Sequence, residues 1–313
     1  MEYIPEHPLL RYKPDTMIAL RKKYNLHKPG DMDRCVDILK EWIKQQEHFT
    51  KKDFSKEQLE RFLMTLKGSI ERTKLQLDKL CTMKTLLSRF FESCNAKNDF
   101  LHIKNKLIVG ILPGMTEDYY RVCIGKVLYN KVDSKALLSA FQLGLMICEY
   151  FKSFDYNDGV IAIADFRGID LMEFVSAINF IDLREAIMIG MEGYDTRVKG
   201  IHFISNSKAV EILVKLIKQL LSKKISERVH VHNSNETLYE HVPRELLPTD
   251  YGGEEKQYKE ICDDWTKELS TEKNVKFFEE MKNARTNETL RRAINFNENY
   301  IGMAGTFRNL TVD

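Results

Sequence analysis

The sequence lacks several features that would place it in a large class of proteins. Its 313 residues contain no run of about 18 apolar residues, so no membrane span is predicted. Basic and acidic residues nearly balance at 48 and 46, and the resulting net charge of +2 predicts no nucleic-acid partner. The six cysteines form no CxxC pair, and Met1–Arg11 lacks the apolar core of a secretion signal. We therefore expect a protein of the reducing cytoplasm.

Motifs of the common enzyme classes are also missing. The chain has no GxSxG, GxxxxGKS, GxxxxGKT or HExxH motif, and no GxGxxG follows a predicted strand. His230 and His232 share one face of a short predicted strand, but no Asp, Glu or Cys lies at ligand spacing, so no metal site is expected. Asp165 ends an apolar run before Gly168, where a turn-capping role is the simpler interpretation. We predict no enzyme, no catalytic residue and no cofactor.

The hydrophobic periodicity changes about one third of the way along the chain. Before that point it predicts helices at Cys35–Gln46, from the capping box Ser55–Gln58 to about Lys67, and at Ile70–Phe91, followed by a linker at Asn95–Asp99. Beyond it, strands and helices alternate, which is typical of a parallel βαβ sheet. The predicted strands are Tyr120–Val127, Val160–Asp165, Ile201–Ser205 and Val229–His232, and the predicted helices are Lys135–Phe151, Leu171–Met191, Lys208–Ser222 and a charged Glu254–Ala284, before an extended Ile294–Asp313.

Three of these segments carry more apolar side chains than one packing face requires. Val160–Asp165 is a continuous apolar run, which predicts a strand buried on both faces. In the helices Lys208–Leu221 and Lys135–Phe151, polar side chains form only a narrow stripe. Either both helices are simply well buried, or their extra surface lines a cavity for an apolar ligand. Burial of about 500 Å² of ligand would contribute on the order of 12 kcal/mol before ordering costs.

Basic residues bracket the predicted helix Lys208–Leu221. Arg197 and Lys199 precede the strand at Ile201, and Lys224 and Arg228 follow the helix. Such a group is either a solvated surface or a site for a multiply charged phosphate, which Arg binds through forked hydrogen bonds and Lys as a point charge. The residues alone leave both interpretations open.

Several segments follow one another in a fixed order: Leu59–Leu63, Ile70–Lys74, Ile163–Gly168, Arg197–Ile204, Lys223–Val229, His232 and Leu247–Gly253, of which the final Tyr-Gly-Gly is the most specific. In this order and spacing they resemble one family, the CRAL-TRIO proteins. The resemblance spans roughly residues 30–270, and the tail Gly305–Asp313 resembles the ending of insect members.

The resemblance implies an α/β fold: an N-terminal all-helical bundle, and a domain with a mainly parallel sheet, flanking helices and a mobile gate helix, Ser207–Leu221, over an apolar cavity. The implied division is 1–98, 99–260 and a C-terminal helix and tail at 261–313. In tocopherol-carrying members a phosphoinositide head group binds at positions that correspond to Arg197, Lys199, Lys224 and Arg228. The candidate cavity walls are Leu138, Phe141, Leu145, Cys148, Ile161, Ile163, Phe174, Ile178, Phe180, Val210, Leu213, Val214 and Ile217.

The chain departs from the family pattern at three places. The family's Asn-x-Pro before the gate reads Ser205-Asn206-Ser207, and its Lys-Pro within the gate reads Lys218-Gln219. Without these prolines the gate is predicted to be a regular helix that hinges at its ends, near Ser205–Ser207 and Ser222. The family's arginine-rich run reads Met64–Lys67, so a cationic contribution from the N-terminal domain is expected to be missing.

Together these features predict a monomeric carrier of one lipophilic molecule, such as a tocopherol, retinoid, carotenoid or other terpenoid. The carrier would move its ligand between membranes and unload it at phosphoinositide-containing bilayers, which it would contact transiently. Two alternatives remain open: exchange of phosphatidylinositol or another phospholipid, and a lipid-sensing interaction module that transfers nothing.

Overall fold

The computed structural model describes residues 4–104, 106–129 and 131–291. Its first part is helical: α1 (Thr16–Lys23), α2 (Asp31–Gln45), α3 (Lys56–Thr65), α4 (Ile70–Leu86) and the single turn α5 (Ala96–Asp99). The predicted capping box at the start of α3 is confirmed, because Ser55 and Gln58 exchange their side-chain and backbone hydrogen bonds. Gly68, at φ 75°, ends the α3 segment in the left-handed conformation that favours glycine.

Two boundaries in this part differ from the prediction. The helix predicted to reach Phe91 ends at Leu86, and a short 3₁₀ turn, Ser88–Phe90, follows it. The predicted linker Asn95–Asp99 contains α5, because the Asn95 side chain accepts hydrogen bonds from the backbone of Lys97 and Asn98. Asn at such a position stabilises a helix start although it is unfavourable inside a helix.

A five-stranded sheet forms the second part, in the order β1 (Leu107–Met115), β2 (Tyr120–Val127), β3 (Gly159–Asp165), β4 (Val198–Ile204) and β5 (Val229–His232). β2 to β5 run parallel, as predicted, and β1 pairs antiparallel with β2. Sequence analysis missed β1 because Gly110, Pro113 and Gly114 interrupt its apolar pattern. An edge strand tolerates proline, since one side of its backbone has no partner strand.

Helices connect the parallel strands. α6 (Ser134–Phe154) joins β2 to β3, α7 (Leu171–Ser176) and α8 (Phe180–Met188) join β3 to β4, and α9 (Val210–Lys218) with α10 (Lys223–Ser226) joins β4 to β5. A π-helical turn, Ile189–Gly193, extends α8. Among the described residues, no helix has both the length and the apolar character needed to cross a bilayer.

The C-terminal part covers one face of the sheet. It contains α11 (Asn235–Leu238), α12 (Tyr258–Glu268) and α13 (Glu272–Lys282), so the predicted single helix is two helices, the second capped by Thr271. Trp265 of α12 donates a 2.8 Å hydrogen bond to the Ile111 carbonyl of β1. The predicted domain boundary at 260/261 falls inside α12, which packs on the sheet. The predicted extended tail, Ile294–Asp313, lies outside the described residues.

The central strand β3 is unevenly buried. On one face Ile161, Ile163 and Asp165 are buried, whereas Val160, Ala162 and Ala164 on the other face remain partly accessible. The prediction of burial on both faces is therefore wrong. A central strand with two neighbours exposes side chains only where no other element fills the space above them. We call the face that carries Val160 the cavity face.

Candidate ligand cavity and its basic mouth

An apolar cavity of about 120 Å³ lies between the cavity face of the sheet and α6. The sheet contributes Val109, Cys123 and Val160, and α6 contributes Gly144, Ile147, Cys148 and Phe151. Gly144 keeps the space open, since a Cβ added at this position would meet no atom within 4 Å. The structure therefore has an apolar chamber where the sheet and its first crossover helix would otherwise be in contact.

The chamber has a polar end that leads outward. Thr65, Lys152, Asn157, Asp195, Thr196 and Arg197 line this end. Thr65, Asp195, Thr196 and Arg197 also line a second, larger cavity of about 630 Å³. We call this second cavity the mouth. Because the two cavities share these four residues, they lie next to each other, and the mouth is the candidate entrance to the apolar chamber.

Seven basic side chains line the mouth: Lys67, Arg72, Arg184, Arg197, Lys199, Lys224 and Arg228. The structure thus brings together all four basic residues that the sequence singled out. It also adds Arg184 of α8, and Lys67 and Arg72 of the helical part, so the prediction of a missing N-terminal cation is wrong. Sequence analysis could not find these residues, because the packing of α3 on α6 and of α4 on the Ile189–Gly193 turn decides where Lys67 and Arg72 lie.

Two of the mouth cations are already engaged by a buried carboxylate. Asp158 lies 2.8 Å from Arg197 and 3.3 Å from Lys199, and Lys23 of α1 approaches it at 2.8 Å. Burial by itself raises the pKa of Asp158, but hydrogen bonds from Lys23 and Tyr24 and the nearby positive charges outweigh it, so the pKa lies below its ordinary value. Arg197 and Lys199 are therefore held in place, whereas Lys224 is exposed.

The gate helix is shorter than predicted. α9 spans Val210–Lys218, and the next three residues continue as tighter turns with hydrogen bonds from Leu220 to Ile217 and from Leu221 to Lys218. Leu220 and Leu221 border the mouth. Ile212, on the outer side of α9, is 49% exposed. The structure has a helix boundary beside each proposed hinge, and hinge motion itself stays a prediction.

The α6 wall candidates divide between two sides of that helix. Cys148 lines the chamber, whereas Leu138, Phe141 and Leu145 pack against the N-terminal helical part. The prediction that Leu138, Phe141 and Leu145 line the cavity is therefore wrong. α6 lies between the helical part and the sheet, so burial on two sides explains its broad apolar surface. Well-buried packing is the better interpretation for this helix.

The β3 candidates belong to the wrong face of the strand. Ile163 is in register with Ile124, which is in register with Gly110. The Cys262 sulfur of α12 lies 2.9 Å from where a Cβ at Gly110 would stand, so this face is filled by the C-terminal helices. Since side chains alternate along a strand, Ile161 and Ile163 point away from the chamber. Val160, Ala162 and Ala164 are the residues on the cavity face.

The remaining candidates lie on α7, α8 and α9 and in the turn between α7 and α8. Phe174 packs against Phe166 with ring centres 5.0 Å apart, and Ile178 is half-buried beside the same core. Phe180 is 44% exposed at the start of α8, so it is not a wall of a closed cavity. On α9, Val210 and Leu213 are buried and Val214 and Ile217 are half-buried. Their contact with a ligand stays a prediction.

Asp165 has the capping role that the sequence favoured. It accepts a 3.0 Å hydrogen bond from the Arg167 backbone, before Gly168 at φ 81°, and a 2.9 Å bond from the Tyr251 hydroxyl. No catalytic partner set forms around it in the described part of the chain. Tyr251 belongs to the Tyr-Gly-Gly segment, so this segment ties the C-terminal part to the end of β3.

His230 and His232 join two histidines that the sequence did not connect with them. His202 and His241 complete a group in which ring centres lie between 4.3 and 6.5 Å apart. His202 and His232 share a 2.9 Å hydrogen bond. Burial, followed by the neighbouring histidines, lowers the pKa of His202 to about 3. Within the described ranges no group of His, Cys, Asp and Glu is arranged to hold a metal ion.

Comparison with known proteins agrees with this architecture. Residues 105–253 match the model of the CRAL/TRIO domain, and residues 28–101 match that of the Pinta-like UBA domain. The first match covers the mainly parallel sheet and its connecting helices, and the second covers most of the helical part. The chain carries a CRAL-TRIO domain at residues 105–253, which confirms the resemblance drawn from its motifs.

The matches to individual relatives are either short or low in sequence identity. Alpha-tocopherol transfer protein-like proteins of Mus musculus and Homo sapiens are 30% identical over 97 residues, which is 31% of this chain and 28% of theirs. The match thus covers less than a third of those relatives. The crystal structure of Sfh5 aligns with 87% of this chain and 99% of its own at 12% identity, with a TM-score of 0.45.

Proposed function

We propose that this protein binds one lipophilic small molecule and transfers it between membranes, releasing it at bilayers that contain phosphoinositides. One observation carries the proposal: an apolar chamber adjoins a mouth that is lined by seven basic side chains and by the residues that follow the gate helix. A tocopherol is the first ligand to test, because relatives are named for tocopherol transfer. Retinoids, carotenoids and other terpenoids follow. The protein would act on this molecule as a carrier and not as an enzyme.

The sizes of the two cavities suit a ligand that occupies both. Small-molecule sites commonly measure about 300–1,000 Å³. The chamber, at about 120 Å³, holds only part of a terpenoid, whereas the mouth adds about 630 Å³. Binding therefore requires α9 and the turn at Leu220–Leu221 to move outward. The half-buried Val214 and Ile217 would then contact the ligand.

Exposed apolar side chains near the mouth support membrane contact. α8 and the end of the gate both border the mouth, and Phe180, Ile181 and Ile212 are between 44% and 50% exposed. Burying one such side chain contributes about 1.5–3 kcal/mol. Each Lys or Arg near an anionic surface adds about 1 kcal/mol. A bilayer with phosphoinositides would thus favour the open gate, because only the open state presents both surfaces fully.

A transfer assay tests the proposal. Labelled tocopherol would be moved from donor vesicles to acceptor vesicles with or without phosphatidylinositol bisphosphate. We expect faster transfer to the acceptors that contain this lipid. The double substitution Lys224→Ala/Arg228→Ala should abolish the preference while ligand loading, measured by native mass spectrometry, is kept. Lys259→Ala/Lys267→Ala on α12 removes the same charge from exposed positions and is the matched control. If native mass spectrometry detects no bound lipophile, either co-purified or added, the carrier function is overturned.

Phospholipid exchange is the second candidate. It predicts cationic side chains inside the cavity entrance, and the basic mouth continuous with the chamber favours it. Labelled phosphatidylinositol in the same assay separates the two candidates. Transfer of this lipid at the rate of tocopherol or faster would make exchange the better description.

A further inference from the structure

Lys152 is an amine buried at the polar end of the chamber. Its side chain, on α6, is 5% exposed, and its Nζ donates a 2.5 Å hydrogen bond to Thr65 Oγ1. Among the described residues it forms no ion pair with a carboxylate. The other buried lysine of the described chain, Lys84, does pair with a carboxylate, that of Glu149. A buried ammonium group without a counter-ion is costly, and burial lowers the pKa of Lys152 to about 7.

Arg197 supplies a second cationic group at the same end of the chamber. Its Nη2 pairs with Asp158 at 2.8 Å, but its Nη1 is buried and has no hydrogen-bond partner within the described part of the chain. Buried N–H groups are nearly always satisfied, so this unpartnered donor is able to bind an acceptor that comes within hydrogen-bond distance. Both Lys152 and Arg197 line the chamber, and Arg197 also lines the mouth.

The nearby acids neutralise these two groups only in part: the charge of Asp195 raises the pKa of Lys152 but does not outweigh burial. Asp195 lines the same end, but its carboxylate makes its one ion pair in the described chain with Arg72, at 3.9 Å. Burial raises the pKa of Asp195 despite the positive charges of Lys152 and Arg72. Glu149 is engaged by Lys84 and by the Tyr194 hydroxyl. An apolar chamber with an excess of cationic donors at one end suits an apolar molecule with an anionic end.

We propose that the ligand is a lipophilic carboxylic acid, a long-chain or terpenoid acid whose carboxylate lies between Lys152 Nζ and Arg197 Nη1. The first part of its tail would follow Ile147, Cys148 and Val160 into the chamber, which at about 120 Å³ holds only part of such a molecule. The inference rests on the proposed carrier function and names the ligand class for it. Charge-assisted hydrogen bonds of a carboxylate to two cations are stronger than those of a neutral hydroxyl, so the acid is preferred over the alcohol.

Three probes with one tail test the proposal on the full chain: oleate, oleyl alcohol and methyl oleate, each measured by displacement of a fluorescent lipid. We expect oleate to bind wild type at least about tenfold more tightly than the other two, a difference that two charge-assisted hydrogen bonds readily provide. Oleate affinity should also fall between pH 7 and 9 as the Lys152 amine loses its proton. Alcohol affinity should stay constant over that range.

Substitution of Lys152 separates the anchor from the cavity. Lys152→Met keeps an unbranched apolar side chain and should remove the oleate preference and its pH dependence, while oleyl alcohol binds as before. Lys152→Gln, a polar uncharged replacement, should give the same result, and circular dichroism would verify that either variant is folded. Equal binding of the three probes to wild type, or retention of the preference in both variants, would overturn the carboxylate anchor. That outcome leaves the carrier function intact, whereas failure of all lipophiles to bind would overturn both.

Discussion

Arg197 and Asp158 form a 2.8 Å ion pair that links the candidate site to the N-terminal helical part. Asp158 is fully buried, and the same carboxylate accepts hydrogen bonds from Lys23 and Tyr24 in and after α1. Arg197, which lines the mouth, is therefore held by Asp158, and Asp158 also anchors α1. Disruption of this cluster should alter both stability and the basic mouth.

Asp158→Asn tests that coupling. Loss of the buried carboxylate leaves Lys23, Arg197 and Lys199 without their counter-charge, so the free energy of unfolding should fall by about 3 kcal/mol. Arg197 and Lys199 would at the same time become available to anionic lipids. Urea denaturation measures the first effect and co-sedimentation with phosphoinositide vesicles the second. Asp53→Asn, at an exposed surface pair, should change neither, and equal stability of the two variants would contradict the coupling.

Gly144 offers a way to fill the chamber without disturbing the fold. A Cβ at this position meets open space, so Gly144→Ala should raise the free energy of unfolding by about 0.5–1 kcal/mol through helix propensity. Gly144→Met should extend into the chamber and reduce ligand binding at least tenfold. The alanine variant is the matched control, since it changes the backbone preference but adds little volume. Ligand binding by the methionine variant at the level of wild type would show that the ligand lies elsewhere.

Ile212 tests membrane contact by the outer side of α9. Because its side chain is 49% exposed, Ile212→Ser should leave stability within about 0.5 kcal/mol of wild type. Transfer between vesicles should slow several-fold, because less apolar surface enters the bilayer. Leu75→Ser on α4, at 57% exposure, is the comparison variant. Equal slowing by both substitutions would argue against a specific role of the gate.

The histidine group predicts acid sensitivity. The pKa of His202 is about 3 in the folded protein, while a histidine in the unfolded chain titrates near 6.5. Below pH 6.5 the unfolded chain therefore binds a proton that the folded chain rejects, and stability decreases as the pH falls. The loss should reach about 2 kcal/mol at pH 5.

Urea denaturation at pH 7.5, 6 and 5 measures this dependence. His202→Gln should flatten the profile relative to wild type, although hydrogen bonding to His232 is weakened at every pH. His27→Gln replaces an exposed histidine and should leave the slope unchanged. A wild-type stability that is constant between pH 7.5 and 5 would contradict the assignment.

Local chemistry made some elements predictable. The capping box at Ser55 and Gln58 marked the start of α3, since a few neighbouring side chains satisfy the helix N-terminus. The parallel strands β2 to β5 followed from alternation of apolar strands and helices. β1 escaped prediction, because its glycines and proline are acceptable only at the sheet edge where tertiary structure places them.

Residue patterns were enough to predict the family resemblance, the order of the main helices and strands, and four of the basic residues that meet at the mouth. Packing between distant segments was needed to know which faces line the chamber. Ile161 and Ala162 are equally apolar neighbours, and the direction in which each points depends on what packs above and below β3. Lys67, Arg72 and Lys152 likewise gained their positions from contacts between distant segments. Hydrophobic periodicity records that a side chain is buried, but three-dimensional packing determines whether protein atoms or empty space lie opposite it.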